Sequence, residues 1–309
     1  MPDAGEPPAD EHDGQDRPPR KLRAPREPTR KEREEHEILH LPYRSWCDSC
    51  VKGRGQAAPH SAWSGQEYHA PQVSADYWFA GGTAEDREDR PILVIWEKMK
   101  NALFGHAVPQ KGVTELTVEQ VCRDLDAIGY KRVVTKTDGE NPITALFREV
   151  KLKWRGELVL EESPLGDSNS NGAAEAAVKA HEGLVRTHKI ALEKKIGKKI
   201  EDRSNIFEWV CEWAALVHRR YKISDDGRTA YERIRGKKAS RTNVQIGENL
   251  WSQAPATITP SNTEQRFDEG IVVGIREASD EILVWNSKGI HRARTVRRRP
   301  PAPTWTRRP

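Results

Sequence analysis

The middle of the chain alternates between short apolar runs and longer stretches with apolar residues at helical spacing. Runs rich in branched and aromatic residues predict three successive strands, at residues 73–80, 92–96 and 102–108. A helix is predicted from Thr114 to Gly129, because a threonine can cap its start and a glycine can end it. The apolar positions that support this helix are Val118, Val121, Leu125 and Ile128.

Further strands and helices follow in alternation. Strands are predicted at residues 131–137 and 158–162, with a helix at residues 142–154 between them. Two longer helices are then predicted, at residues 173–193 and 206–221. Because strands alternate with helices, the pattern predicts a mixed α/β fold with one sheet flanked by helices.

The pattern changes towards both ends of the chain. Residues 1–35 contain seven prolines, eight basic and ten acidic residues, so this leader is predicted to be disordered. Short strands at 271–275 and 282–285 predict a small β unit, within a region of linker and β structure at residues 237–297. The last nineteen residues hold seven arginines and no acid, and a basic disordered tail suited to a polyanion is predicted at 298–309.

Composition and charge exclude several classes of protein. The 309 residues carry 51 lysines and arginines against 47 aspartates and glutamates, for a net charge of +4. The longest purely apolar run, Ile92 to Trp96, is far shorter than the ~18 residues of a membrane helix, so no membrane span is expected. The N-terminal residues lack the apolar stretch of a secretory signal, which predicts an intracellular protein. Four cysteines are too few for a disulfide scaffold in a chain of this length.

Three acidic residues lie on separate predicted elements of the α/β unit. Asp76 lies within the first strand, Asp138 follows a later strand, and Glu175 lies in the first turn of a helix. Carboxylates on neighbouring elements can hold paired hard cations, as two-metal phosphoryl transfer requires. The chain has 47 acidic residues, so the spacing alone leaves open that each of the three is a solvated carboxylate.

The residues around these carboxylates resemble a known family. Asp138 and Glu175 are separated by 36 residues, and Glu175 closes the segment Asn-Gly-Ala-Ala-Glu. This arrangement, with Asp76 upstream, is similar to the Asp-Asp-Glu catalytic core of retroviral and copia-type retrotransposon integrases. The resemblance implies an RNase H-like fold at residues 70–236, with Mg²⁺ or Mn²⁺ ions held by the three catalytic carboxylates. It further implies metal-dependent nicking of DNA ends, followed by strand transfer into target DNA.

Basic residues follow Glu175 along the same predicted helix. Lys179 lies four residues later, on the same helix face, and matches the position of a DNA-contacting basic residue in the integrase family. Arg186 and Lys189 belong to a larger cluster that would bind DNA phosphates with salt-dependent affinity. Its other members are His188, Lys194, Lys195, Lys198 and Lys199. A solvated helix face remains the alternative interpretation, because nearby acidic residues dilute the charge of the cluster.

Upstream of the core, two histidines and two cysteines have the spacing of a metal site. His36 and His40 lie one helical turn apart, and the Cys-x2-Cys pair Cys47 and Cys50 can place two thiolates on Zn²⁺. Together they resemble the His-His-Cys-Cys zinc domain that precedes integrase cores, although only six residues separate His40 from Cys47. The resemblance implies a short N-terminal zinc-binding segment. Thiols without metal beside surface histidines remain open, and His60 is an alternative ligand.

A segment after the core adds to the resemblance. Thr229-Ala-Tyr-Glu232 is similar to the Thr-Pro-Tyr-Glu motif that follows copia-type cores, with Ala230 in place of the proline. By this resemblance the partners are element-end and target DNA, and the protein acts as a homo-oligomer, in the nucleus when it acts on host DNA. Two alternatives stay open. One is an inactive nucleic-acid-binding remnant of a retrotransposon polyprotein, and the other is a generic RNase H-type nuclease.

Overall fold

The computed structural model describes most of the chain between residues 25 and 299. The described residues are 25–55, 71–81, 90–137, 140–162, 168–239, 244–253 and 265–299. They form a five-stranded sheet with helices on both faces, a second five-stranded sheet near the C-terminus, and a short helical segment near the N-terminus. None of the described helices is long and apolar enough to cross a membrane.

The first sheet has the strand order and directions of an RNase H-like fold. Its strands are β1 (Gln72–Phe79), β2 (Pro91–Glu97), β3 (Ala102–Ala107), β4 (Arg132–Thr137) and β5 (Glu157–Glu162). They lie in the order β3-β2-β1-β4-β5. β2 is antiparallel to both β1 and β3, whereas β4 is parallel to β1 and β5 is parallel to β4. Only β2 therefore runs against the others, and the predicted fold class is confirmed.

One face of this sheet is covered by α3 (Glu115–Ile128) and α4 (Asn141–Lys153). Thr114 caps α3 by accepting a hydrogen bond from the backbone N–H of Thr117. Gly129 ends the helix with a φ of +82°, a conformation that glycine adopts without strain, so both predicted helix ends are confirmed. The core on this side includes Val73, Ala75, Tyr77, Leu125, Leu146 and Phe147.

The opposite face is covered by two longer helices, α5 (Ser168–Ile196) and α6 (Asn205–Tyr221). α5 packs mainly against β1 and β2, and α6 packs against β3. Because side chains alternate along a strand, Asp76 and Trp78 of β1 point to this face, while Ala75 and Tyr77 point to the other. The core on this side includes Trp78, Ile92, Val94, Val178, Val210 and Trp213.

The second sheet is antiparallel throughout. Its strands are β6 (Asn249–Ser252), β7 (Asp268–Arg276), β8 (Glu281–Asn286), β9 (Gly289–Ala293) and β10 (Val296–Arg298), in the order β10-β6-β7-β8-β9. Its core consists of Val244, Leu250, Val272, Val284 and Ala293. The sequence predicts only strands at 271–275 and 282–285, because β6, β9 and β10 are short and rich in polar residues. Arg298 pairs with Leu250 and is therefore part of the sheet, not of the predicted disordered tail.

Ion pairs attach this small β unit to α6. Arg219 lies 3.0 Å from Glu277, and Arg220 lies 2.7 Å from Asp280, both across the boundary between α6 and the turn that joins β7 to β8. The guanidinium of Arg219 also lies 4.2 Å from the centre of the Phe104 ring in β3. Both arginines are buried. These contacts fix the β unit against the edge of the main sheet.

The Thr229-Ala-Tyr-Glu232 segment begins α7 (Ala230–Arg235). The Thr229 hydroxyl accepts a hydrogen bond from the Glu232 backbone N–H, and the Glu232 carboxylate accepts one from the Thr229 N–H. This reciprocal pair is a capping box. Ala230 occupies the first helical position, where a proline is also favoured. In the described fold the motif therefore starts a helix.

Two helices precede the core, α1 (Arg30–Leu39) and α2 (Asp48–Arg54). α1 begins within residues 1–35, whose composition predicts disorder, so that boundary is corrected. The cause is local, because Thr29 and Glu32 form a capping box that satisfies backbone N–H groups at the helix start. Residues 1–24 of the predicted leader lie outside the described residues.

A buried histidine at the edge of the main sheet predicts a pH-dependent stability. His106 of β3 lies 2.8 Å from Asp124 of α3 and 3.7 Å from Glu212 of α6. Burial alone would lower the pKa of His106, but these two carboxylates raise it to about 9. Because the folded pKa lies above the ordinary value, the charged imidazole stabilises the fold below about pH 6.5, and this contribution is lost as the pH rises through 9.

Urea unfolding between pH 6 and 9.5 should therefore show the free energy of unfolding falling by up to about 3 kcal/mol. In the His106→Gln variant this part of the slope should be absent, while any contribution from cysteine thiols remains. Parallel pH profiles for the variant and the wild type would contradict the assignment.

Candidate functional site

The predicted zinc ligands converge in one buried cluster. His36 lies in the last turn of α1, and His40 follows this helix in a left-handed conformation with a φ of +54°. Cys47 is the N-cap residue of α2, and Cys50 lies in its first turn. One ligand atom from each residue lies within 4.8 Å of all the others, and all four side chains are buried. His60, the alternative ligand, lies outside the described residues.

The two shortest distances between these ligand atoms match those around a tetrahedral metal ion, and the others are somewhat longer. Cys50 Sγ lies 3.3 Å from His36 Nε2 and 4.0 Å from His40 Nδ1, and Cys47 Sγ lies 3.5 Å from His40 Nδ1. Zinc bonds of ~2.0–2.3 Å at tetrahedral angles place neighbouring ligand atoms roughly 3.3–3.8 Å apart. The cluster is therefore consistent with zinc binding, and the six residues between His40 and Cys47 are enough to close it.

The surroundings of Cys50 favour its thiolate, which is the form that binds metal. The hydrogen bond with Cys47 lowers the pKa of Cys50 well below its ordinary value, and the neighbouring histidines and Arg54 lower it further. The same hydrogen bond, together with burial, raises the pKa of Cys47. Arg54 Nη2 lies 3.2 Å from Cys50 Sγ and also donates to the carbonyl oxygen of His40. One thiolate is thus already stabilised by the protein.

The segment that carries the His and Cys cluster packs directly against α5. Gly53 of α2 lies so close to Thr187 of α5 that a Cβ at residue 53 would stand 2.4 Å from Thr187 Oγ1 and 2.8 Å from its backbone. Arg186 Nε donates to the carbonyl oxygen of Gly53 at 3.0 Å. The rings of His40 and His188 lie 5.5 Å apart. The segment that carries the His and Cys cluster and α5 therefore form one packed unit.

One member of the predicted basic cluster is not at the surface. His188 is buried, because it continues the apolar stripe of α5 that contains His181 and Leu184. Burial lowers the pKa of His188 well below its ordinary value. Its assignment to a basic surface is therefore corrected, and its ring packs between those of His40 and Trp213.

The other basic residues of this cluster are mostly exposed, and several of them are paired. Arg186 is exposed and donates to Gly53, and Lys189 forms an ion pair with Asp202. The Lys189 ammonium also lies 5.4 Å from the centre of the Phe207 ring. Lys194 and Lys195 are exposed in the last turn of α5, and Lys198 and Lys199 are exposed just after it, where Lys199 forms an ion pair with Glu193. The exposed positive charge therefore extends from Arg186 to Lys199.

The predicted catalytic carboxylates belong to β1, to the segment after β4 and to α5. Asp76 is half-buried, and its Oδ1 accepts a hydrogen bond from the Tyr77 backbone N–H at 2.7 Å. Glu175 is exposed and lies 3.8 Å from Lys179, one helical turn further on. Asp138 lies outside the described residues. Two described elements that pack together thus supply carboxylate oxygens, the ligands that Mg²⁺ and Mn²⁺ prefer.

Arg54 and His181 shape these sites but belong to none of the motifs found in the sequence. Arg54 lies four residues after Cys50 on α2, so helical spacing contains a signal for it. His181 of α5 is fully buried and accepts a hydrogen bond from Trp78 Nε1 at 3.1 Å. No spacing rule links these last two residues, which lie 103 positions apart in the chain.

Comparison with known proteins gives structural matches only. No protein-family model and no curated protein matches the chain. The catalytic core domain of BIV integrase is similar to 53% of this chain over 92% of its own length, with 15% identity and a TM-score of 0.35. A chain of the simian T-cell lymphotropic virus intasome, in complex with a PP2A regulatory subunit, is similar to 75% of this chain over 82% of its own length. That match has 10% identity and a TM-score of 0.35.

The convergence of His36, His40, Cys47 and Cys50 in one buried cluster agrees with the zinc motif that the sequence resemblance implies.

Proposed function

We propose that the protein is an integrase-like polynucleotidyl transferase that nicks DNA ends and joins them to target DNA. The observation that carries the proposal is the placement of two of the three carboxylates. Asp76 of β1 points to the face of the main sheet that α5 covers, and Glu175 belongs to α5. β4 is parallel to β1 and ends at Thr137, the residue before Asp138 in the sequence. By the integrase resemblance, Asp138 would supply the remaining carboxylate.

The third carboxylate comes from α5 itself. Glu175 lies near the start of this helix, which packs on β1 and β2 from the side to which Asp76 points. Asp76, Asp138 and Glu175 would together hold two Mg²⁺ or Mn²⁺ ions. When bound, such a pair of ions stabilises the attacking and leaving oxygens of an in-line phosphodiester displacement. Lys179, beside Glu175, would bind a phosphate of the donor DNA end.

Further basic surfaces would hold the DNA on either side of these carboxylates. The exposed lysines at 194–199 lie at and just after the end of α5, and further arginines lie on β9 and β10 in the small β unit. Contacts of this kind release counterions, so DNA affinity should fall steeply with salt. Arg186 and Lys189 remain proposed DNA contacts, although each would have to exchange an intramolecular partner for a phosphate.

The His and Cys cluster would hold one Zn²⁺ and so fold the segment that precedes the core. By the integrase resemblance, the protein would act as a homo-oligomer on two donor ends and a target duplex. Its action on host DNA would take place in the nucleus.

The proposal is tested with the full-length, zinc-loaded protein on supercoiled plasmid and on a donor oligonucleotide duplex. Nicking of the plasmid with Mg²⁺ or Mn²⁺, absent with EDTA, is expected, together with joined donor–target products on a sequencing gel. DNA binding without any nicking in either metal would contradict the proposal and identify an inactive nucleic-acid-binding remnant. Cleavage of RNA in hybrids without joined products would identify a generic RNase H-type nuclease instead.

A further inference from the structure

A buried histidine connects three elements beneath the carboxylates. His181 of α5 is completely buried. Its Nδ1 accepts a hydrogen bond from the indole N–H of Trp78 in β1 at 3.1 Å, and its Nε2 donates to the carbonyl oxygen of Cys211 in α6 at 2.9 Å. The imidazole therefore ties β1 to both helices on this face of the sheet.

The two hydrogen bonds require one particular form of the ring. An indole N–H only donates and a carbonyl oxygen only accepts, so His181 must be neutral, with its proton on Nε2. Burial lowers the pKa of His181 to about 4, which keeps this form at neutral pH. Both ring nitrogens of His181 are therefore engaged, and the hydrogen bonds to Trp78 and Cys211 fix the orientation of the ring.

The sheet leaves a space for this ring. Asp76 of β1 pairs with Val94 of β2, and Val94 pairs with Gly105 of β3, so these three residues form one row across the sheet. A Cβ at Gly105 would stand 2.2 Å from His181 Nε2. Glycine at this position thus lets the imidazole lie directly on the row that contains Asp76, about two strand spacings away.

We infer that Trp78 and His181 are positioning residues for the carboxylate centre, and this inference rests on the proposed function. Trp78 lies two residues after Asp76 on the same face of β1, and His181 lies six residues after Glu175 on α5. Their hydrogen bond fixes the separation and rotation of α5 against β1. It would thereby set the distance between Asp76 and Glu175.

The inference is tested by metal affinity, measured without DNA. Binding of Mn²⁺ to the zinc-loaded full-length protein is followed by the electron paramagnetic resonance signal of free Mn²⁺, with Asp76→Asn as the background. His181→Phe keeps a ring but loses both hydrogen bonds, and Trp78→Phe loses the donor. Each should weaken Mn²⁺ binding about ten-fold, in the range seen when residues that orient metal ligands are changed. His181→Gln, which keeps an acceptor and a donor, should stay within about two-fold of wild type.

Trp213→Phe is the matched control. Trp213 is a buried tryptophan of the same core, and its indole nitrogen has no hydrogen-bond partner among the described residues. The Trp213→Phe variant should have a lower melting temperature but the same Mn²⁺ affinity as the wild type. Wild-type affinity in both Trp78→Phe and His181→Phe, or equal weakening by Trp213→Phe, would overturn the inference alone. If the wild type and Asp76→Asn bound Mn²⁺ equally, the proposed function would be overturned, and the inference with it.

Discussion

Replacing Asp76 with Asn is expected to reduce metal-dependent DNA nicking about a thousand-fold while the protein stays folded. The change removes one anionic ligand from the proposed carboxylate centre, and a loss of several kcal/mol in transition-state stabilisation corresponds to about three powers of ten in rate. The fold should survive because the asparagine oxygen can still accept the hydrogen bond from the Tyr77 N–H. The measurement is the initial rate of plasmid nicking in Mg²⁺, alongside the thermal unfolding midpoint.

The same loss is expected for Asp138→Asn and Glu175→Gln, because all three carboxylates would serve one centre. Glu182→Gln is the matched control on α5, since Glu182 contacts Arg186 and lies two turns beyond Glu175. This variant should nick DNA at close to the wild-type rate. If Asp76→Asn or Glu175→Gln kept wild-type nicking and strand transfer, the assignment of the carboxylates would be wrong.

Most of the main sheet could be predicted from local patterns. The strands around Asp76 and those that follow it are rich in branched and aromatic residues, and each is found within one residue of its predicted bounds. The ends of α3 could also be predicted, because threonine caps a helix start with its hydroxyl and glycine adopts the left-handed conformation that ends a helix. Thr114 and Gly129 take these two roles. In these elements the local preference and the tertiary fold agree.

The small β unit shows why other elements could not be predicted. β6, β9 and β10 are three to five residues long and carry many polar side chains. They become strands because neighbouring strands pair with them, as β10 pairs with β6 through Arg297 and Trp251. Such pairing depends on residues about 46 positions apart, and no local pattern encodes it. α1 shows the opposite case, in which a local signal is present but the composition around it is misleading. Its start is encoded by a capping box, whereas the surrounding composition is typical of disorder.

The candidate sites divide in the same way. The residue types and spacing of His36, His40, Cys47 and Cys50 are sufficient to predict that the four side chains converge, because one helical turn and a Cys-x2-Cys pair each place two ligands close together. The burial of His188 could not be predicted, because it depends on how α5 packs against α6 and the segment after α1. In the sequence, His188 lies beside basic residues, and this position predicts an exposed side chain. The link between Trp78 and His181 likewise exists only after β1 and α5 have packed.

The packing of the His and Cys cluster on α5 predicts that binding of the proposed zinc ion and the stability of the core are coupled. Cys50→Ser, which removes a ligand, should leave less than about half an equivalent of zinc by elemental analysis. Without metal, the segment from Arg30 to Arg54 is too short to bury a core of its own, so it should lose its order. Amide hydrogen exchange in α1 and α2 should then become about a hundred-fold faster or more. Exchange at the α5 residues around Thr187 should also rise, because Gly53 packs directly on them.

Two variants separate the loss of zinc from the loss of packing. Gly53→Ala places a methyl group against Thr187 while leaving every ligand in place, so zinc content should stay near one equivalent while exchange around Thr187 increases. Cys122→Ser is the control for a cysteine outside the cluster, because Cys122 lies on α3 and is only partly buried. It should change neither zinc content nor exchange in α1. Equal zinc content in wild type and Cys50→Ser would contradict the proposed metal site. Unchanged hydrogen exchange around Thr187 in both Cys50→Ser and Gly53→Ala would contradict the coupling between the cluster and α5.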